Sequence, residues 1–148
     1  MRTNIAQQQL PGPPQQQLGV VLVVDDQPSV RIVLGRLLTM YGCASRQATC
    51  LQDVITVTER EPIDAFLLDL TLAEGESGLD VLTWLRMQPK HKTTPVLVFT
   101  GQAALAPSQE TFIRRHGATV LYKTDTLRPA VESVQKLLMT RSTAGGKK

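Results

Sequence analysis

The chain has 148 residues, 42% apolar and 20% charged, with a formal charge of +3, which suits one folded unit with a real core. Collagen-like, wholly disordered and membrane-spanning classes are excluded, since no apolar run approaches the roughly 18 residues a bilayer crossing needs. The amino terminus lacks the charged-then-apolar order of a signal peptide, so a cytoplasmic protein without a membrane partner is expected, with Cys43 and Cys50 reduced. Arg114-Arg115-His116 is locally basic; a solvated helix end accounts for it, and direct nucleic-acid binding is not expected.

In chain order, residues 1–18 combine glutamine triplets with Pro11, Pro13 and Pro14 and read as a flexible tail. GVVLVV at 19–24 reads as a buried strand that ends in Asp25 and Asp26. Pro28 and Ser29 open a helix whose apolar residues Val30, Val33, Leu34, Leu37, Leu38 and Tyr41 repeat at three and four, and Gly42 stops it. CASRQA at 43–48 is the second strand. Thr49 and Gln52 have capping-box spacing ahead of a helix carrying Leu51, Val54 and Ile55, which Pro62 closes.

DAFLLD at 64–69 is the third strand, and Leu79, Leu82 and Leu85 mark the third helix after a loop. PVLVFT at 95–100 is the fourth strand. Ser108 is placed to cap a fourth helix that carries Phe112 and Ile113 and ends at Gly117. ATVLYK at 118–123 is the fifth strand, and Leu127, Val131, Val134 and Leu138 give the fifth helix. Residues 141–148 read as a second flexible tail, leaving a domain at 19–140.

Strands alternating with helices predict an α/β fold: a five-stranded parallel sheet in the order 2-1-3-4-5, doubly wound in the flavodoxin manner with helices on both faces. In such sheets ligands bind outside the carboxyl ends of the strands. Those ends carry Asp25 and Asp26, Asp69, Thr100 and Lys123. Any one of them alone is an ordinary polar loop residue, but four strands ending so in register is not a coincidence that propensity supplies.

The acidic pair in VVDDQ, the aspartate in LLDL, the threonine in VFTG and the lysine in LYKT are together similar to the receiver domain of two-component response regulators, the CheY-like superfamily. The resemblance covers nearly all of 19–140. It implies that Asp69 is the phosphoacceptor, that Asp25 and Asp26 hold magnesium with Asp69 and the backbone carbonyl of Thr71, and that Thr100 and Lys123 contact the phosphoryl group. It further places Thr71 and Gln102 at positions that tune dephosphorylation. The implied donor is a phosphohistidine on a sensor histidine kinase or a histidine phosphotransfer protein. On this reading the chain is no enzyme beyond its own phosphorylation and dephosphorylation.

Charge arithmetic points the same way for the metal. Two carboxylates about 4 Å apart repel by roughly 4 kcal/mol at an effective dielectric near 20, so three together need a cation or a proton. Magnesium prefers hard oxygens and commonly takes one or two carboxylates plus a phosphate oxygen; Asp26 and Asp69 are expected as direct ligands, with Asp25 acting directly or through water.

The sequence departs from that family in four places. Thr124 follows Lys123 where proline is usual, so a trans bond is expected. Val120 stands where the family's switch aromatic lies, and Tyr122 is taken to point to the other face, which predicts a muted response of the fourth helix to phosphorylation. Ala73 replaces a usual proline, and Gly78 falls one residue later than is common. Glu74 and Glu76 are read as solvated loop charges in preference to a metal or partner role, and Gly75 and Gly78 do not form a nucleotide fingerprint.

Three rivals remain. One is a pseudo-receiver, an interaction module never phosphorylated; another is a dehalogenase-type phosphatase, disfavoured because its acids would be spaced D-x-D. The third is a DNA-binding regulator, for which about 25 residues after Lys123 leave no space. The expectation is therefore a stand-alone receiver acting on an unknown downstream protein by contact through its fourth and fifth helices, with homodimer formation open.

Overall fold

Val21, Leu22, Val23 and Val24 are at most 1% exposed, so the strand that contains them has no face to give to water and takes an interior place in the sheet. The structure, a computed structural model, describes residues 17–102, 104–123 and 126–146. The expected tail at 1–18 lies outside these apart from Gln17 and Leu18, as do Thr124 and the last two lysines. The strands are β1 (Gly19–Val24), β2 (Cys43–Ala48), β3 (Ala65–Leu68), β4 (Val96–Thr100) and β5 (Thr119–Tyr122). All pair in parallel in the order β2-β1-β3-β4-β5, as expected.

The helices are α1 (Pro28–Met40), α2 (Leu51–Arg60), α3 (Gly78–Met87), α4 (Pro107–Arg115) and α5 (Arg128–Gly146). Strand alternation divides the core between two layers. Leu22, Val24, Phe66, Leu68 and Val98 pack with Val54, Leu82 and Ile113 of α2, α3 and α4. Val21, Val23, Leu67, Leu97 and Phe99 pack with Leu34, Leu38, Val131 and Leu138 of α1 and α5.

Helix ends differ from the expected ones in instructive ways. Cys50, not Thr49, holds the cap position of α2, and the acid that reaches back is Asp53, whose Oδ2 accepts from both the Thr49 N–H and hydroxyl at 2.8 and 2.7 Å. Ser108 lies inside α4; the cap position is Ala106, with Pro107 opening the helix and the Gln109 carboxamide accepting from the Ala106 N–H at 3.0 Å. Val33 is 43% exposed, because the buried stripe of α1 runs through Leu34 and Leu38. The last helix continues through Gly146, past the limit drawn at 140.

Candidate functional site

The parallel ladder brings the chemistry to one edge. The Asp25 N–H donates to Ala48 O, the Asp69 N–H to Val24 O and the Lys123 N–H to Thr100 O, at 3.0, 2.9 and 2.7 Å. Each residue just past a strand is thus fixed by its neighbour's backbone. A carboxylate oxygen from each of Asp25, Asp26 and Asp69 lies within 4.8 Å of the other two. Asp25, Asp69 and Thr100 are 2%, 8% and 1% exposed, and Asp26 is half-buried.

The Lys123 Nζ donates to Asp25 Oδ2 at 3.1 Å and to Asp69 Oδ2 at 3.3 Å, one cation among three carboxylates. Burial, with the Asp25 charge beside it, raises the Asp69 carboxyl above its usual range, against the pull of Lys123. Burial works against the Lys123 ammonium too, but the Asp69 and Asp25 carboxylates outweigh it and raise its pKa. The Asp25 Oδ1 accepts from the Gln27 N–H at 2.9 Å, and the Thr100 Oγ1 from the Gln102 N–H at 3.1 Å, so Gln102 stands next to Thr100.

The loop after Asp69 has more structure than the sequence suggested. Leu70 and Leu72 stay buried, and Thr71 between them is exposed and bridges antiparallel to Ser77. The bridging bonds belong to flanking residues, Leu72 N–H to Glu76 O and Gly78 N–H to Leu70 O. In such a pair the bridged residue's own N–H and C=O point away from its partner; the Thr71 N–H accordingly faces Asp69 Oδ1, at 3.5 Å. Glu76 is not a solvated charge: it is half-buried, and its Oε1 accepts from the Leu51 N–H at 2.7 Å. Gly78 has a steric reason for its place, because a Cβ there would collide with the carbonyl oxygen of Asp69.

One face assignment is corrected. Val120 and Tyr122 both pack on the α2–α3–α4 layer, while Leu121 packs on the other, since strand residues two apart share a face. Tyr122 is in register with Thr100, and its hydroxyl donates to Glu110 Oε2 of α4 at 3.0 Å. Of the two grounds for expecting a muted α4 response, Val120 at the switch position stands, while the facing of Tyr122 does not. His116, in the basic cluster, stacks on Phe112 with ring centroids 4.1 Å apart, while Arg114 and Arg115 are exposed. A groove of about 560 Å³ at the amino ends of β4 and β5, lined by Pro95, Thr119 and Lys136 among others, lies at the far end of the strands and carries no carboxylate. Among the described residues no helix is long and apolar enough to cross a membrane.

Comparison with known proteins agrees with this geometry. Residues 21–135 match the response regulator receiver domain family. Response regulator protein PilR of Pseudomonas aeruginosa is 34% identical over 84 residues, 57% of this chain and 18% of that protein. The DNA-binding transcriptional regulator NtrC of Proteus hauseri is 34% identical over 89 residues, 60% of this chain and again 18% of its own length. The chain thus spans about a fifth of these relatives. Among solved structures, a CheY-like receiver domain protein from Methanospirillum hungatei aligns with a TM-score of 0.73 at 20% identity, covering 84% of this chain and 97% of that one. CheY4 of Vibrio cholerae aligns at 0.68 and 23%, covering 79% and 96%. These likenesses share the five-stranded fold, and with the family match over most of its length the chain belongs to the response regulator receiver domains.

Proposed function

We propose that the chain is a phosphorylatable receiver whose phosphoacceptor is Asp69, with residues 19–140 as the working domain and output by protein contact. The observation that carries this reading is the convergence of three carboxylates and one ammonium at the carboxyl edge of the sheet. The donor set suits magnesium: hard oxygens only, with a half-buried Asp26 that leaves room for retained waters. Asp25, Asp26, Asp69 and the Thr71 carbonyl would hold it. When bound, magnesium supplies positive charge against the phosphoryl oxygens.

The residues then divide the work. An Asp69 carboxylate oxygen attacks phosphorus in line; the O–P bond forms as the P–N bond to the donor histidine breaks, its electron pair passing to the imidazole nitrogen. The Lys123 ammonium and the Thr100 hydroxyl meet the equatorial oxygens. Thr71 and Gln102 would tune the dephosphorylation step, in which water attacks phosphorus, the bond from phosphorus to the Asp69 oxygen breaks, and inorganic phosphate leaves. The donor is a sensor histidine kinase or histidine phosphotransfer protein, in the cytoplasm. The output partner is a protein that reads α4 and α5, with a second copy of the chain as one candidate.

Incubation of the whole chain with magnesium and acetyl phosphate should add the mass of one phosphoryl group, and Asp69→Asn should add none. No gain in the wild type, under conditions that label a control receiver, would leave the pseudo-receiver as the better reading.

A further inference from the structure

The segment between β3 and α3 closes as a small hairpin. The chain reverses through Glu74 and Gly75, at φ 61° and 77°, and the Glu76 N–H donates to Ala73 O at 3.2 Å. Two consecutive positive φ values make this a mirror-image turn, set in the three residues, Ala73 to Gly75, between the facing Leu72 and Glu76. The returning side of this hairpin is tied down. The Glu76 carboxylate takes the first N–H of α2, Leu51, from 25 residues away. Cys50 at the cap position makes no side-chain cap bond, and a helix amino terminus, with its unpaired N–H groups, favours an anion.

The tie reaches the acidic pocket through one rigid unit. The Glu76 carbonyl accepts from the Leu72 N–H at 2.9 Å. That N–H and the Thr71 C=O belong to the same planar peptide and point in opposite directions. Holding the N–H toward Glu76 therefore aims the Thr71 carbonyl away from it, on the side where the Thr71 N–H faces Asp69.

We propose that Glu76 is the positioning residue of the metal site: fastened to the amino end of α2, it fixes the direction of the Thr71 carbonyl relative to Asp25, Asp26 and Asp69. This rests on the magnesium reading above. The bond needs only an acceptor oxygen, so glutamine should serve where alanine does not.

The test titrates magnesium chloride calorimetrically, without phosphodonor, into wild type, Glu76→Ala, Glu76→Gln and Leu51→Pro. The last removes the donor N–H at a first-turn position that tolerates proline. Exchange of the Leu51 and Leu72 amides is followed by NMR wherever those amides are present. Glu76→Ala and Leu51→Pro should each weaken magnesium binding about tenfold, the scale typical of residues that orient a ligand, with faster exchange at Leu72, and Glu76→Gln should restore most of it. Wild-type affinity in both Glu76→Ala and Leu51→Pro would overturn the proposal and leave Glu76 a helix cap. A wild type that binds no magnesium would overturn the metal reading itself, and this proposal with it.

Discussion

The Asp69 carboxylate is 8% exposed, shares its pocket with Asp25, and has Lys123 Nζ at 3.3 Å. Burial and the neighbouring charge both disfavour its ionised form, which is why its pKa rises in spite of the lysine. A carboxyl whose folded pKa exceeds its unfolded one withdraws stability as pH rises through that window. At neutral pH the ionised group therefore costs stability. Asp69→Asn removes the charge and keeps the shape, while Lys123 retains Asp25. The variant should melt a few degrees above wild type near pH 7 without magnesium, a gain that shrinks as pH falls toward 4. A lower melting temperature at pH 7 would mean that the Lys123 contact outweighs desolvation.

At the scale of elements, Gly78 joins the first turn of α3 to the strand that presents Asp69. A Cβ at this position meets the Asp69 carbonyl and crowds the Asp69 carbonyl carbon and Leu70 Cα, which are backbone atoms and give way only by moving the strand end. Gly78→Ala should cost about 2 kcal/mol, the scale of core overpacking, and lower labelling by acetyl phosphate because the carboxylate is displaced. An unchanged melt with full labelling would show that the strand end yields freely. The same junction marks where sequence patterning stops being informative. Asp25, Asp26, Asp69, Thr100 and Lys123 could be located because each follows an apolar run, and a parallel sheet sends the end of every such run to one edge. Glu76 could not, because its partner lies 25 residues away and its reach depends on how a loop one residue longer than is common folds into a hairpin. Tyr122 is legible, since period-two alternation places it on the same face as Val120.

Across the whole molecule, Arg86 of α3 ties together segments the sheet does not connect. Its Nε donates to His116 O at 2.7 Å, after α4, and its Nη1 to His91 O and Thr94 O, both at 2.8 Å, ahead of β4. Its Nη2 adds a longer bond to Gly117 O at 3.4 Å; no apolar period announces such a residue, because a guanidinium that satisfies four carbonyls looks in sequence like any exposed helix arginine. His91 sits inside this knot, 3% exposed, with its ring edge-on to Phe66 at a centroid distance of 5.3 Å.

Because the Thr94 hydroxyl donates to Lys90 O at 3.3 Å, the His91 Nδ1–H is assigned as donor to Thr94 Oγ1 at 3.0 Å, and Nε2 is left buried without a partner among the described residues. Burial lowers its pKa below the ordinary 6.5, and the charges of Lys90, Arg141 and Arg86 add to the effect. A histidine with a depressed folded pKa binds fewer protons folded than unfolded, so its stability contribution is complete above about pH 6.5 and is lost as pH falls below it. The wild type should therefore lose melting temperature between about pH 6.5 and 5, and His91→Gln, which cannot titrate, should flatten that part of the profile. Equal slopes in the two proteins would locate the acid sensitivity in carboxylates, and would mean that the imidazole gains a proton in place without disturbing the contact between α3 and the start of β4.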